Sequence, residues 1–112
     1  MSGAPTIGAL TDRVDLKRRT TTDEAEGGEA VSFVPIATVW ARVTTLAARQ
    51  ALAGDARGQA ISHAVVIRFR TDLKPGDRIV YRGATLDIAA TGDLTGGRAY
   101  LSCQCTEQAV TG

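Results

Sequence analysis

With 112 residues, 44% of them hydrophobic and 22% charged, the chain has the size and composition of one globular domain. A net charge of +1 at pH 7 argues against a strongly basic nucleic-acid binder, and five aromatic residues leave the core to Val, Ile, Leu and Ala. No apolar run reaches the roughly 20 residues of a membrane-spanning helix, and Met1 to Pro5 lacks the basic start and apolar centre of a signal peptide, so a cytosolic product without a membrane partner is expected.

Arg13 to Arg19 alternates, with Val14 and Leu16 on one face and Arg13, Asp15, Lys17 and Arg19 on the other, as in a half-buried strand. Thr20 to Glu29 holds three Thr, four acids and two Gly, and nothing apolar larger than Ala. Residues 20–30 are therefore expected as a solvated, flexible acidic loop. Pro35 is expected to open the next strand, a position that proline tolerates. That strand runs to Leu46 and carries the only tryptophan. Val39, Ala41 and Val43 point one way along it, and Thr38, Trp40, Arg42 and Thr44 the other.

Ala47 to Ala53 consists of good helix formers, with Thr44 or Thr45 to cap the start and Gly54 to stop it. Gly54 to Gln59 reads as a mobile connector, so 47–59 is one short helix plus a mobile loop. Ala60 to Arg70 is the second strong strand. Ile61, His63, Val65, Ile67 and Phe69 share one face; Ser62, Ala64, Val66, Arg68 and Arg70 share the other. Lys74 to Asp77 is a turn, Arg78 to Tyr81 a short strand, Arg82-Gly83 a tight turn and Ala84 to Ala90 a strand. The Gly92 to Gly97 loop leads into a last strand, Arg98 to Cys105, with Ala99, Leu101, Cys103 and Cys105 on one face. Residues 107–112 form a patternless tail. About six short strands without βαβ alternation make residues 1–112 a single, mainly β domain, a compact antiparallel barrel or sandwich.

The pattern contains no catalytic constellation. His63, between Ile61 and Val65, reads as a core histidine. Asp72, Asp77 and Asp87 have no spacing that forces a shared site, and Ser102 lacks a nucleophile elbow. Gly92 to Gly97 lacks the Lys and the following helix of a phosphate loop and reads as a hairpin turn. Cys103 and Cys105 share one strand face, which is poor disulfide geometry, and with a single His they are too few for a zinc site. They read as small buried hydrophobes. No enzyme activity, metal or cofactor is expected.

Eleven of the 13 cations are Arg, which suits ion pairs and phosphate contacts and also follows from a codon-biased genome. Arg42, Arg68, Arg70, Arg78 and Arg82 point away from the apolar faces. On neighbouring strands they would form a stripe for a phosphate backbone or an acidic partner. Paired locally to Asp72, Asp77 and Asp87, they would be a solvated barrel face, and the sequence leaves both readings open. Trp40 has two readings as well, beneath the short helix or as an anchor at a subunit interface.

A colinear series of short segments carries a family resemblance. In order stand Gly8-Ala9-Leu10, Asp12-Arg13-Val14, a polar Asp/Gly loop, Val39-Trp40-Ala41-Arg42-Val43 and a short helical stretch. Then come His63 to Arg70, Gly76-Asp77-Arg78-Ile79, Tyr81-Arg82-Gly83 and Leu86-Asp87-Ile88. From Gly8 to about Cys105 the series resembles the head–tail adaptor or head-closure (stopper) proteins of long-tailed bacteriophages and phage-derived gene transfer agents. Ala48 and Gln50 depart from the pattern, standing where the family often has Gly and an acidic residue.

The resemblance implies a small antiparallel β-barrel of about six strands with one short helix and a long loop. It implies a structural role: a homo-oligomeric, typically dodecameric ring between a portal or adaptor ring above and a tail terminator or tail proteins below. Such a ring retains packaged double-stranded DNA and docks the tail. The subunit is expected in the bacterial cytoplasm during assembly and then in the neck of the phage or gene transfer agent particle. Carried onto this sequence, 47–59 is the channel-facing loop, with Arg49, Gln50 and Arg57. Trp40, Arg42, Arg68 and Arg70 are the interface candidates, and Thr20 to Glu29 a contact arm. The alternatives are another neck protein such as a tail terminator, or a small nucleic-acid-binding barrel with Trp40 and Tyr100 as its stacking residues.

Overall fold

Alternating apolar side chains favour a strand because a pleated sheet sends them all to one face, where they leave water together. The computed structural model describes residues 10–23, 27–46 and 61–108, and these alternating runs are its strands. They are β1 (Asp12–Asp23), β2 (Glu29–Thr45), β3 (His63–Arg68), β4 (Arg78–Tyr81), β5 (Ala84–Asp93) and β6 (Tyr100–Glu107). Each pairs antiparallel with its neighbours in the order β1-β2-β3-β6-β5-β4, and β4 returns to β1 to close a six-stranded barrel.

The barrel interior is filled by the inward face of every strand. Leu16, Ala41, Val65, Ile67, Ile79, Leu86, Cys103 and Cys105 have no solvent exposure. Burying a Leu or Ile of this kind contributes about 2 kcal/mol. The sequence reading of β3 and β6 holds here, since Ile61, His63, Val65 and Ile67 are buried on one face and Leu101, Cys103 and Cys105 on another. Arg82 (φ 50°) and Gly83 (φ 83°) form a two-residue hairpin turn between the paired residues Tyr81 and Ala84. The Gly92 to Gly97 segment closes the β5–β6 hairpin, where the Asp93 carboxylate accepts N–H bonds from Gly96 at 2.9 Å and Arg98 at 2.8 Å.

Three sequence expectations are corrected. Thr20 to Asp23 is not loop: it continues β1 and pairs with β2 in the register Thr20↔Ser32, Thr21↔Val31, Thr22↔Ala30 and Asp23↔Glu29. Threonine suits an exposed ladder as well as a loop, and with no buried face the alternation carries no signal. Pro35 does not open β2 but sits inside it, opposite Lys17, next to a bulge at Ile36. Proline survives there because, among the described residues, this stretch has no ladder partner other than β1. The last strand starts at Tyr100 rather than Arg98, leaving Ala99 exposed. The expected helix and loop at 47–59 lie outside the described residues.

The barrel closes along a short seam. Only Asp15, Leu16 and Lys17 of β1 pair with Val80, Ile79 and Arg78 of β4. The seam is extended by Asp77, fully buried in the turn before β4. Its Oδ1 accepts the Arg19 N–H at 2.9 Å, and its Oδ2 accepts the Lys74 N–H at 3.1 Å. Asp12 ties the other end, accepting the Val43 N–H at 3.0 Å and the Tyr81 hydroxyl at 3.4 Å. Beyond Lys17 the β1–β2 pair leaves the barrel as a two-stranded arm. Its six pairs, Arg18↔Val34 to Asp23↔Glu29, reach roughly 20 Å at about 3.3 Å per residue.

Asp77→Ala removes the acceptor for two backbone donors at the seam and is expected to destabilise the fold by about 3 kcal/mol, measured as a lower urea midpoint with an unchanged slope. Burial pushes the Cys103 thiol up to about 12, and Cys105 is raised by burial first, then by Cys103 and Asp87. Both thiols are free. They are expected to resist an aromatic disulfide reagent at neutral pH in the native protein and to react fully once it is unfolded.

Candidate functional site

β3 ends at Arg68, where the Phe69 N–H donates to the Ala99 carbonyl at 3.0 Å and draws the chain towards β6. β2 pairs with β3 only from Ala41 to Thr45, so β2 and the end of β3 part company below Ala41. A groove of about 810 Å³ opens there, lined by Leu10, Val39, Trp40, Ile67, Phe69 and the arginines 68 and 70. The β2 edge from Thr38 to Trp40 borders it and has no ladder partner on this side among the described residues.

Trp40 is 51% exposed, so it is not covered as a core residue would be. Arg13, its cross-strand partner, places its guanidinium 4.5 Å from the ring centroid. A stack of this kind at an exposed site contributes about 0.5–1 kcal/mol and holds the ring in one orientation. Arg42 stands on the same outward face, two positions on, opposite Val66. Arg42 and Arg68 are exposed and have no carboxylate partner among the described residues. Arg70 differs: its Nε and Nη2 grip both Asp72 oxygens at 2.8 and 2.7 Å. Trp40, Arg68 and Arg70 thus meet at one groove, with Arg42 beside it on the sheet.

Arg78 and Arg82 do not join them. They lie on and after β4, which β1 and β2 separate from β3. Arg78 bonds Asp87 at 2.8 Å and lies 3.7 Å from the centroid of Phe33, while Arg82 lies against Tyr81. The single basic stripe read as one option is therefore divided, and local pairing accounts for Arg70 and Arg78. Asp77 takes no part in that pairing, because its carboxylate is spent on backbone donors. Arg49, Gln50 and Arg57 lie outside the described residues.

His63 is buried, its Nδ1 2.8 Å from the Ser62 Oγ, which also accepts the Glu107 N–H at 2.8 Å. This holds the histidine as a structural residue at the barrel end. Among the described residues no three His, Cys, Asp or Glu side chains converge on a metal-sized site. Sequence reasoning missed Arg13 as a partner of Trp40, because that pairing depends on the β1–β2 register. It also missed Asp77 and Asp12 as anchors, since a turn aspartate and a buried one look alike in sequence.

The chain is thus a closed antiparallel barrel with an aromatic-and-arginine groove on its outside. The family model for phage head completion proteins matches residues 5–108, and the chain belongs to that family. The resemblance read from Gly8 to Cys105 falls within that span. Solved structures that share the fold include the following two. Protein SF1141 from Shigella flexneri 2a, solved in solution, superposes with a TM-score of 0.76 at 24% identity, over 96% of this chain and 100% of its own. A chain from the virion of a native gene transfer agent particle gives a TM-score of 0.66 at 19% identity, over 91% of this chain and 97% of its own. No curated protein matches the chain in sequence.

The Arg70 guanidinium beside it holds the Asp72 carboxyl below its ordinary value of 3.8. A depressed carboxylate stabilises the fold above that value, and the contribution is lost as pH falls below it. Because Asp72 is largely exposed, Asp72→Asn is expected to cost under about 1 kcal/mol at pH 7. In urea titrations at several pH values, the gap to the parent protein should close once the pH drops below 3.8.

Proposed function

We propose that this chain is a structural subunit of the neck of a tailed phage or gene transfer agent particle. In this reading it assembles into a homo-oligomeric ring, typically dodecameric, between the portal or adaptor and the tail, where it retains packaged DNA and docks the tail. The observation that carries it is membership of the phage head completion family over residues 5–108. A barrel of the same fold in the virion of a gene transfer agent particle supports the placement.

The physical character of the domain agrees with a role in assembly. The carboxylates of Asp77 and Asp12 are spent on closing the barrel, and its exposed features are a groove and an arm suited to contact with other macromolecules. A subunit ring needs two different surfaces on each copy, since a heterologous contact repeats by rotation until it closes. Trp40, Arg42, Arg68 and Arg70 are assigned to such a contact. Residues 47–59, with Arg49, Gln50 and Arg57, are assigned to the channel side, where their cations would face packaged DNA.

Deleting the gene and imaging the particles tests the neck role. Heads that are empty or leaking and unjoined to tails are expected, with tails assembled separately. Normal joined particles would overturn the proposal.

A further inference from the structure

Two exposed features of the described chain have complementary chemistry and lie far apart. One is the groove, where Arg68 presents a cation beside the half-exposed Trp40 and the apolar walls of Val39, Ile67 and Phe69, with Arg42 and Arg13 next to it on the outward face of the sheet. The other is the arm, which ends at the carboxylates of Asp23 and Glu29 and carries Val31 and Val34 at 49% and 46% exposure.

The arm is an incomplete structure by itself. A two-stranded ribbon is marginally stable in water, and its open edges with exposed valines are a template for pairing that folded proteins cover. The groove is incomplete in the complementary way: among the described residues, the β2 edge from Thr38 to Trp40 has no partner on this side and the neighbouring Arg42 and Arg68 meet no carboxylate. An added strand takes main-chain bonds from such an edge and places alternate side chains in the groove.

The two features do not meet within one copy. From Glu29 to Trp40 the chain is one continuous strand, which at about 3.3 Å per residue separates the arm's end from the groove by roughly 35 Å. We propose that the groove receives the β1–β2 arm of a second copy of this chain. Asp23 and Glu29 of the incoming arm lie by Arg68 and Arg42, and Val31, which shares their face of the ribbon, lies against Trp40. Arm and groove are different surfaces, so the contact is heterologous. It passes from each copy to the next and closes only as a ring.

The inference rests on the ring assembly proposed above and gives that ring its contact. Cysteine cross-linking tests it, with Asp23→Cys in one full-length variant and Arg68→Cys in another. Both positions are exposed, so both variants should fold, and the native thiols are buried. A cross-linked dimer is expected when the two variants are mixed, in concentrated protein or in particles assembled from both. Neither variant alone should give it. Trp40→Ala in the groove variant should abolish it, and high salt should weaken it.

Cross-links within one variant alone would replace the proposal with a symmetric contact. A cross-link from Arg68→Cys to a different particle protein would assign the groove elsewhere, and the absence of any mixed product in solution and in particles would remove the contact. Any of these three results, alongside unjoined heads in the gene deletion, would leave the neck role standing without this interlock.

Discussion

Closure of the barrel at the β1–β4 seam is the constraint on which the rest of this structure depends. Three paired positions on each strand are a thin join for a six-stranded barrel. Asp77 lengthens it without adding strand, by accepting the backbone N–H that Arg19 would otherwise leave unpaired as β1 departs. An unsatisfied buried donor costs about 1–3 kcal/mol, so a carboxylate placed at that point decides where the ladder ends. The same carboxylate holds Lys74 and shapes the turn into β4. Where the seam stops, the arm begins.

That division sets the distribution of chemistry over the molecule. Inside the barrel, apolar side chains and two inert thiols fill the space, and His63 is fixed at one end by Ser62. Outside, several aspartates are committed to arginines or to backbone groups. Where β2 leaves β3, Arg42 and Arg68 have no carboxylate partner among the described residues and stand by the half-exposed Trp40. Divergence of β2 from β3 creates both a concavity and an open edge, and the arm begins where the β1–β4 ladder stops. A barrel with its strands paired along their full length would have neither.

The sequence made the barrel legible wherever a strand buries one face. In β3 and β6, alternation follows directly from contact with the core, and the Arg82-Gly83 turn is marked by its glycine. The arm was not legible, because its residues bury little: an exposed ribbon of Thr and acids has the composition of a solvated loop. Pro35 was placed at a strand end because proline is excluded from paired interiors, a rule that an unpaired edge relaxes. For the site, alternation alone put Trp40, Arg42, Arg68 and Arg70 on outward faces. It did not bring Trp40 to Arg68 or divide Arg78 from them, because that requires the strand order. The bulge at Ile36 fixes the β1–β2 register on either side of it, and that step has no clear mark in the sequence.

The same bulge has an evolutionary consequence. It separates a part of the hairpin whose register is dictated by the core from a part that answers only to itself. Residues added or removed in matched numbers on the two arm strands leave Val14, Leu16 and Ala41 facing inward as before. Each matched pair changes the arm's span by about 3.3 Å. The arm thus behaves as an adjustable spacer on a fixed hub, and its reach is a quantity that selection can tune in small increments without refolding the barrel.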